Sequence, residues 1–142
     1  MSQLLELIFS GHYVFERRIS SPRVSFTGTA TFEKGPSNQI LYREEGDYQL
    51  GSVKRSCYQK RIFVVDALGL SIYKNDNSLL HEFRVDNLPA FPIKLNHVHH
   101  CKEDRYSLTL DLHSNDSFST SYVIEGPSKN YKIHTVFTRV FR

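Results

Sequence analysis

The chain has 142 residues and a mass of 16.5 kDa, which suits one domain over residues 1–142 because domains cluster at about 100–150 residues. Its hydrophobic content of 39%, with 18 basic against 15 acidic residues and a formal charge of +3, excludes a disordered or fibrous chain. No long run of Lys and Arg supports nucleic-acid binding, and no apolar stretch approaches the roughly 20 residues that span a bilayer.

The N-terminal segment has the one helical pattern of the sequence. Residues 2–9 suit one or two helical turns. The segment from Met1 to Phe15 lacks the basic region and the small-residue cleavage site of an export signal. The two cysteines, Cys57 and Cys101, allow at most one disulfide, and a domain of this size builds its core without one. We therefore expect free thiols and a cytoplasmic location.

The rest of the chain alternates between apolar and polar residues with a period of two. Runs rich in Val, Ile, Tyr, Phe and Thr, about ten in all, are separated by clusters of turn-forming residues at 33–38, 45–47, 75–77, 89–92, 114–116 and 126–130. Because nearly every break is short enough for a hairpin, the pattern predicts consecutive antiparallel pairing. We expect an all-β, up-and-down barrel of about 8–10 strands, with a β-sandwich as the alternative.

Several strands carry polar residues on a face that is otherwise apolar. Alternation puts Arg17 on the face of Tyr13 and Phe15 in the first strand, and Glu44 on the face of Tyr42 in the third. A polar group that is buried without a partner costs about 1–3 kcal/mol. Since a small barrel has room inside for side chains or one small ligand, these polar residues predict a ligand pocket.

The segment 93–112 predicts a hairpin with a two-residue loop at 102–103. In that register the polar residues on its inner face form opposed pairs: Cys101 with Asp104, His99 with Tyr106, and His97 with Leu108. A loop that is one residue longer would scatter the group.

This cluster has three interpretations. His97, His99 and Cys101 have the spacing of some zinc ligands, but on one strand they diverge over roughly 13 Å, so we predict no metal unless another strand contributes. Cys101, His99 and Asp104 also contain the groups of a Cys-His-Asp nucleophile. We favour a structural alternative, in which Asp104 caps turn amides and His99 bonds the Tyr106 hydroxyl.

Basic residues extend the candidate site. For Arg17 the sequence leaves two roles open: it binds an anionic ligand group, or it has a structural role in which it pairs with Glu44 or caps backbone carbonyls at the closed end. Lys129, in the turn at 126–130, is a candidate for contact with an anionic ligand at the barrel rim.

Gly11-His12-Tyr13, behind a short helical segment, together with Arg139 in the last strand, resembles the lipocalin and fatty-acid-binding superfamily. In that superfamily a Gly-x-Trp motif opens the barrel, and a basic side chain of the final strand packs across the ring to close one end. The resemblance implies this structural role for Gly11, Tyr13 and Arg139, with Tyr13 in place of the Trp.

Motifs along almost the whole chain also resemble a family of small, mainly bacterial proteins that is catalogued as a domain of unknown function and considered lipocalin-like. Those motifs include Phe9-x-Gly11-x-Tyr13-x-Phe15-x-Arg17, Tyr42-x-Glu44-x-Gly46, His99-x-Cys101-x-x-Asp104-x-Tyr106 and Gly126-Pro127-x-Lys129-x-Tyr131. The resemblance implies a barrel and the location of a site, and it supplies no ligand.

The sequence therefore predicts a barrel that binds a small amphipathic or anionic molecule in a polar and aromatic pocket, without a cofactor or a nucleic-acid partner. The expected ligand contacts are Arg17, Tyr42, Glu44, His99, Asp104, Tyr106, Lys129 and Tyr131. One alternative is a small enzyme in which His99 acts as general acid or base. A haem or metal carrier and a structural or protein-interaction role are the others.

Overall fold

The computed structural model describes residues 2–85 and 90–141. In chain order the elements are the helix α1 (Ser2–Ile8) and the strands β1 (Gly11–Ser20), β2 (Arg23–Lys34), β3 (Gln39–Leu50), β4 (Val53–Asp66), β5 (Gly69–Lys74), β6 (Leu79–Arg84), β7 (Ile93–Cys101), β8 (Asp104–Ser114), β9 (Ser117–Glu125) and β10 (Asn130–Arg139). Every pair of strands is antiparallel. The all-β prediction and the short N-terminal helix are confirmed.

The strands pair with their neighbours in the chain, and the pairing of β1 with β10 brings the first and last strands together. The hydrogen-bonded order is β6-β5-β4-β3-β2-β1-β10-β9-β8-β7, so in the described part of the chain β6 and β7 stand at its two ends. These two strands meet through side chains, with the rings of His81 and His97 5.2 Å apart. The result is a nearly closed up-and-down barrel, and the sandwich alternative is wrong.

Four of the predicted breaks, at 33–38, 75–77, 114–116 and 126–130, lie at junctions between strands. The break predicted at 45–47 is wrong, because β3 continues through it. Gly46 pairs there with Gly28, and a Cβ on Gly46 would lie 2.9 Å from the carbonyl oxygen of Thr27. This glycine therefore permits close contact between two strands and does not mark a turn. The signal at 89–92 begins outside the described residues.

The hairpin of β7 and β8 has the predicted register. Cys101 pairs with Asp104 and His99 with Tyr106, across a turn at Lys102 and Glu103. The two-residue loop thus puts the inner-face residues of both strands on the same side of the sheet.

One end of the barrel is closed by α1 and a cluster of aromatic rings. Leu5 and Ile8 of α1 are fully buried, as is Phe9 just after it. The ring of Phe9 lies 5.2–5.5 Å, centroid to centroid, from three others: Phe32, Phe63 and Phe118. Burial of each such side chain stabilises the fold by about 1.5–3 kcal/mol.

Arg139 of β10 fastens α1 to this end. Its guanidinium lies 4.8 Å from the ring centroid of Tyr13 and donates to the Tyr13 hydroxyl at 2.8 Å. It also donates to the carbonyl oxygens of Leu7, Ser10 and Asn115, at 2.8, 2.6 and 2.8 Å. Gly11 has a φ of +75°, and a Cβ there would come within 3.1 Å of Arg139 Nη1. The backbone that Arg139 contacts therefore needs a glycine at position 11.

Candidate functional site

A cavity of about 380 Å³ lies inside the barrel, within the size range of small-molecule sites. At the end closed by α1, its wall includes the rings of Phe32 and Phe63. At the opposite end, its wall includes residues beside the 102–103 turn. Six of the eight residues predicted to contact a ligand line it: Arg17, Tyr42, Glu44, His99, Tyr106 and Tyr131. Because consecutive turns of an up-and-down barrel alternate between its ends, the 102–103 turn lies opposite α1.

On one wall, the Arg17 guanidinium holds the buried Glu44 carboxylate with two hydrogen bonds of 2.5 and 3.0 Å. Tyr42 donates its hydroxyl to the same carboxylate at 2.6 Å, and Arg17 Nε donates to Thr135 Oγ1 at 2.9 Å. Burial acts to raise the pKa of Glu44, but the Arg17 hydrogen bonds and charge outweigh it, and the pKa is lowered. Arg17 thus pairs with Glu44 as one of its predicted roles requires, and its contact with a ligand stays a prediction.

Cys57 also contacts the Glu44 carboxylate, which the sequence analysis did not predict. Its thiol donates to Glu44 at 3.2 Å. Burial, and then the charge of Glu44, raise the pKa of Cys57 to about 11. Cys57 is therefore a protonated thiol at neutral pH rather than a nucleophile.

Across the cavity, His81 is bonded on both ring nitrogens. Its Nδ1 lies 2.9 Å from Nδ1 of His97, and its Nε2 lies 2.9 Å from the Tyr122 hydroxyl. Burial, followed by the neighbouring His97, His99 and Arg61, lowers the pKa of His81 to about 3. Burial also raises the pKa of Tyr122 to about 12. Both groups are therefore uncharged at neutral pH.

Lys129, Tyr106 and Asp104 form a small cluster at the rim. Lys129 Nζ donates to the Tyr106 hydroxyl at 2.8 Å and lies 3.3 Å from the Asp104 carboxylate. These hydrogen bonds, to Tyr106 first and then to Asp104, raise the pKa of Lys129. The expected bond from His99 to the Tyr106 hydroxyl is replaced by the bond from Lys129. Asp104 likewise pairs with Lys129.

His99 lines the cavity with its ring centroid 6.1 Å from that of His81 and 6.2 Å from that of Tyr106. Burial, and then the positive charge of Lys74, lower the pKa of His99. Within residues 2–85 and 90–141, no three His, Cys, Asp or Glu side chains are placed to hold a metal ion together. Cys57 and Cys101 are both free.

Two further cations line the cavity, and the sequence analysis missed both. Arg61 of β4 and Lys74 of β5 pair directly across the two strands. Arg61 lies two residues before the buried Phe63 on β4, and Lys74 lies two residues after the buried Ile72 on β5. Because side chains two residues apart on a strand share a face, both cations point to the inner face. With Arg17 and Glu44, the lining contributed by residues 2–85 and 90–141 has three Arg or Lys side chains and one carboxylate.

Residues 9–139 match the model of a family described as "Family of unknown function (DUF6314)". The chain belongs to this family. No curated protein has a significant sequence match to this chain. The match covers nearly the whole barrel, from the residue after α1 to the last residue of β10.

Solved structures of designed barrels share the fold. A de novo designed fluorescence-activating β-barrel aligns over 94% of both chains, with 17% identity and a TM-score of 0.52. EF1p2_mFAP2b bound to DFHBI aligns over 99% of both chains at 10% identity and a TM-score of 0.57. A redesigned β-barrel, mFAP0, also bound to DFHBI, covers 93% of this chain and 99% of its own, at 10% identity and a TM-score of 0.51. In the described part of this chain, no helix has the length and apolar character needed to span a membrane.

Proposed function

We propose that this protein binds a small amphipathic or anionic molecule inside its barrel, in the cytoplasm. The observation that carries the proposal is the cavity of about 380 Å³, whose wall combines aromatic rings with polar side chains that converge on one space. Such a combination is typical of small-molecule sites, where apolar contacts supply affinity and a few polar groups fix orientation.

The polar groups in this cavity exceed what closing the barrel requires. Arg139 already closes the end at α1, yet Arg17, Glu44 and His81 lie further inside. Burying charged and polar groups is costly unless they are paired, and here they are paired with one another. A fixed network of this kind gives the cavity a polar wall that does not need to rearrange when a ligand enters. Two barrels of the same fold are bound to DFHBI, which supports small-molecule binding by this architecture.

Native mass spectrometry of freshly purified protein, with metal analysis of the same sample, tests for a retained ligand. A fluorescence titration with 1-anilinonaphthalene-8-sulfonate then tests the interior itself. We expect the dye to bind the wild type and to lose affinity in Ile133→Trp, whose indole fills part of the cavity. Val136→Trp is the control, because Val136 lies on the exposed face of the same strand.

Near-ultraviolet circular dichroism shows whether each variant keeps its packed core, since the dye also binds loosely packed states. A wild type that neither retains an adduct nor binds the dye contradicts the proposal. So does equal dye binding by the two folded tryptophan variants.

A small enzyme that uses His99 as general acid or base is the second candidate. It is favoured by the position of His99 on the cavity wall and by a lowered pKa that leaves the imidazole neutral and able to accept a proton at neutral pH. Once a ligand is identified, His99→Ala separates the two candidates. If the protein is an enzyme, His99→Ala loses turnover and keeps ligand affinity. If it is a carrier, both the wild type and His99→Ala release the ligand chemically unchanged.

A further inference from the structure

Arg61 and Lys74 are an unusual pair for the wall of a barrel. They stand directly opposite each other on β4 and β5, where like charges destabilise a sheet. In the described part of the chain, no ion pair to a carboxylate involves either of them. Arg61 does donate to the backbone carbonyl of Lys60 at 2.8 Å, which leaves its charge uncompensated.

The charge of this pair acts on the cavity interior. Burial is the main cause of the lowered pKa values of His81 and His99, and the positive charges of Arg61 and Lys74 respectively add to it. The charge of Arg61 also opposes the rise in the pKa of Tyr122 that burial causes. Arg17 does not add to this unpaired charge, because Glu44 neutralises it. Among the described residues of the lining, Arg61 and Lys74 are therefore two cations without a carboxylate in an ion pair, and both lie on the wall formed by β4 and β5.

We infer that Arg61 and Lys74 hold the oxyanion head group of an amphipathic ligand whose apolar body lies against the buried apolar side chains that line the cavity. The inference rests on the proposed binding function and adds the chemical class of the ligand and the residues that select it. An oxyanion between the two side chains removes their mutual repulsion. The forked guanidinium also offers two parallel hydrogen bonds to a carboxylate or a phosphate.

The apolar part of such a ligand has a matching surface. Leu108, Leu110 and Phe63 line the same cavity and are buried. Arg61 itself lies two residues before Phe63 on β4, so one strand carries both the charged and the apolar contact. A ligand whose head group contacts Arg61 can therefore place its apolar part against the buried side chains beside it.

The experiment measures the displacement of 1-anilinonaphthalene-8-sulfonate by three probes with the same alkyl chain: decanoate, decyl phosphate and decan-1-ol. We expect at least one of the two oxyanions to bind about tenfold or more tightly than the alcohol, as charge-assisted hydrogen bonds predict. Preference for decyl phosphate or for decanoate distinguishes a phosphate from a carboxylate head group.

Arg61→Gln should weaken the preferred oxyanion about tenfold or more and leave decan-1-ol within about twofold. Lys60→Gln is the matched control, since it removes the same charge from the neighbouring, exposed position of β4 and should change neither affinity by more than about twofold. Lys74→Gln should repeat the effect of Arg61→Gln, which keeps the test valid if one variant does not fold.

The outcomes separate this inference from the proposed function. If the dye binds inside the barrel but the alcohol competes as well as both oxyanions, or Arg61→Gln and Lys74→Gln leave the oxyanion affinity unchanged, the head-group assignment is wrong and the binding function stands. If the dye does not bind inside the wild-type barrel, both are wrong.

Discussion

The buried pair of Arg17 and Glu44 allows the most quantitative prediction. Glu44→Gln keeps the shape of the side chain and removes its charge, which leaves the guanidinium of Arg17 without a counter-ion. The side chains of Arg17 and Glu44 are only 13% and 2% exposed, so solvent compensates little. Breaking one side of a buried pair costs about 3–5 kcal/mol, which corresponds to a fall in Tm of roughly 10–20 °C for a chain of this length.

Urea unfolding of the wild type, Glu44→Gln and a double variant, Arg17→Met with Glu44→Leu, measures this cost. Replacing both charges with apolar groups should recover most of the stability, because the desolvation cost then disappears. Glu45→Gln, on the exposed face of the same strand, should change the free energy of unfolding by less than about 0.5 kcal/mol. A loss below about 1 kcal/mol in Glu44→Gln, or a double variant no more stable than the single one, would refute the argument.

The same pair gives a pH dependence. Burial opposes the ionised form of Glu44, but the hydrogen bonds and charge of Arg17 prevail, so the folded-state pKa lies below its ordinary value. Its ionisation therefore stabilises the fold fully above the unfolded pKa of about 4.3, and this contribution is lost as the pH falls through the lowered folded pKa. Glu44→Gln should lack this part of the acid-induced loss of stability.

Four further measurements test other parts of the structure. Arg61→Gln should leave the Tm of the ligand-free protein unchanged or raise it, because it removes a like-charge contact of up to about 1 kcal/mol; a clear fall in Tm would indicate a structural role. Arg139→Met should cost about 3 kcal/mol in urea unfolding, because carbonyl groups near α1 lose a charged donor; an unchanged midpoint would contradict this. Gly46→Ala should cost about 1–3 kcal/mol, because its Cβ would meet the neighbouring strand; thermal unfolding checks it. His81→Asn should reduce the fall in the free energy of unfolding between about pH 6.5 and pH 3, because the unfolded His binds a proton in this range and the folded one, with a pKa of about 3, does not. A pH dependence equal to that of the wild type would contradict this prediction.

The sequence contained enough information for the strands and for the register of one hairpin. Period-two alternation survives in β1, where Tyr13 and Phe15 are buried between exposed residues, and a two-residue loop fixed the pairing of His99 with Tyr106. The prediction failed at Gly46, because a glycine that permits close strand contact has the same local signature as a glycine in a turn. Only the neighbouring strand distinguishes the two.

The candidate site was predicted less completely, for a different physical reason. In β4 both faces carry polar and apolar residues, so the sequence alone does not show which face lines the cavity. Alternation separates Arg61, on the cavity side, from Lys60 only once the burial of Phe63 is known. The partners of the predicted residues depend on distances across strands that are far apart in the chain. Lys129 reaches Tyr106 over the rim, and no pattern within either segment encodes that approach.

The pairing of β1 with β10 affects how this barrel is made. Ile19 at the end of β1 lies beside Ile133, and Tyr13 near its start lies beside Arg139. During synthesis on the ribosome, β1 can pair with β2 early, but it cannot pair with β10 until residues 130–139 have been translated. Pairing over so long a stretch of chain is slow to form, and meanwhile the inner face of a growing, open sheet is exposed to other chains. Nascent barrels of this protein thus depend on the timing of their final strand.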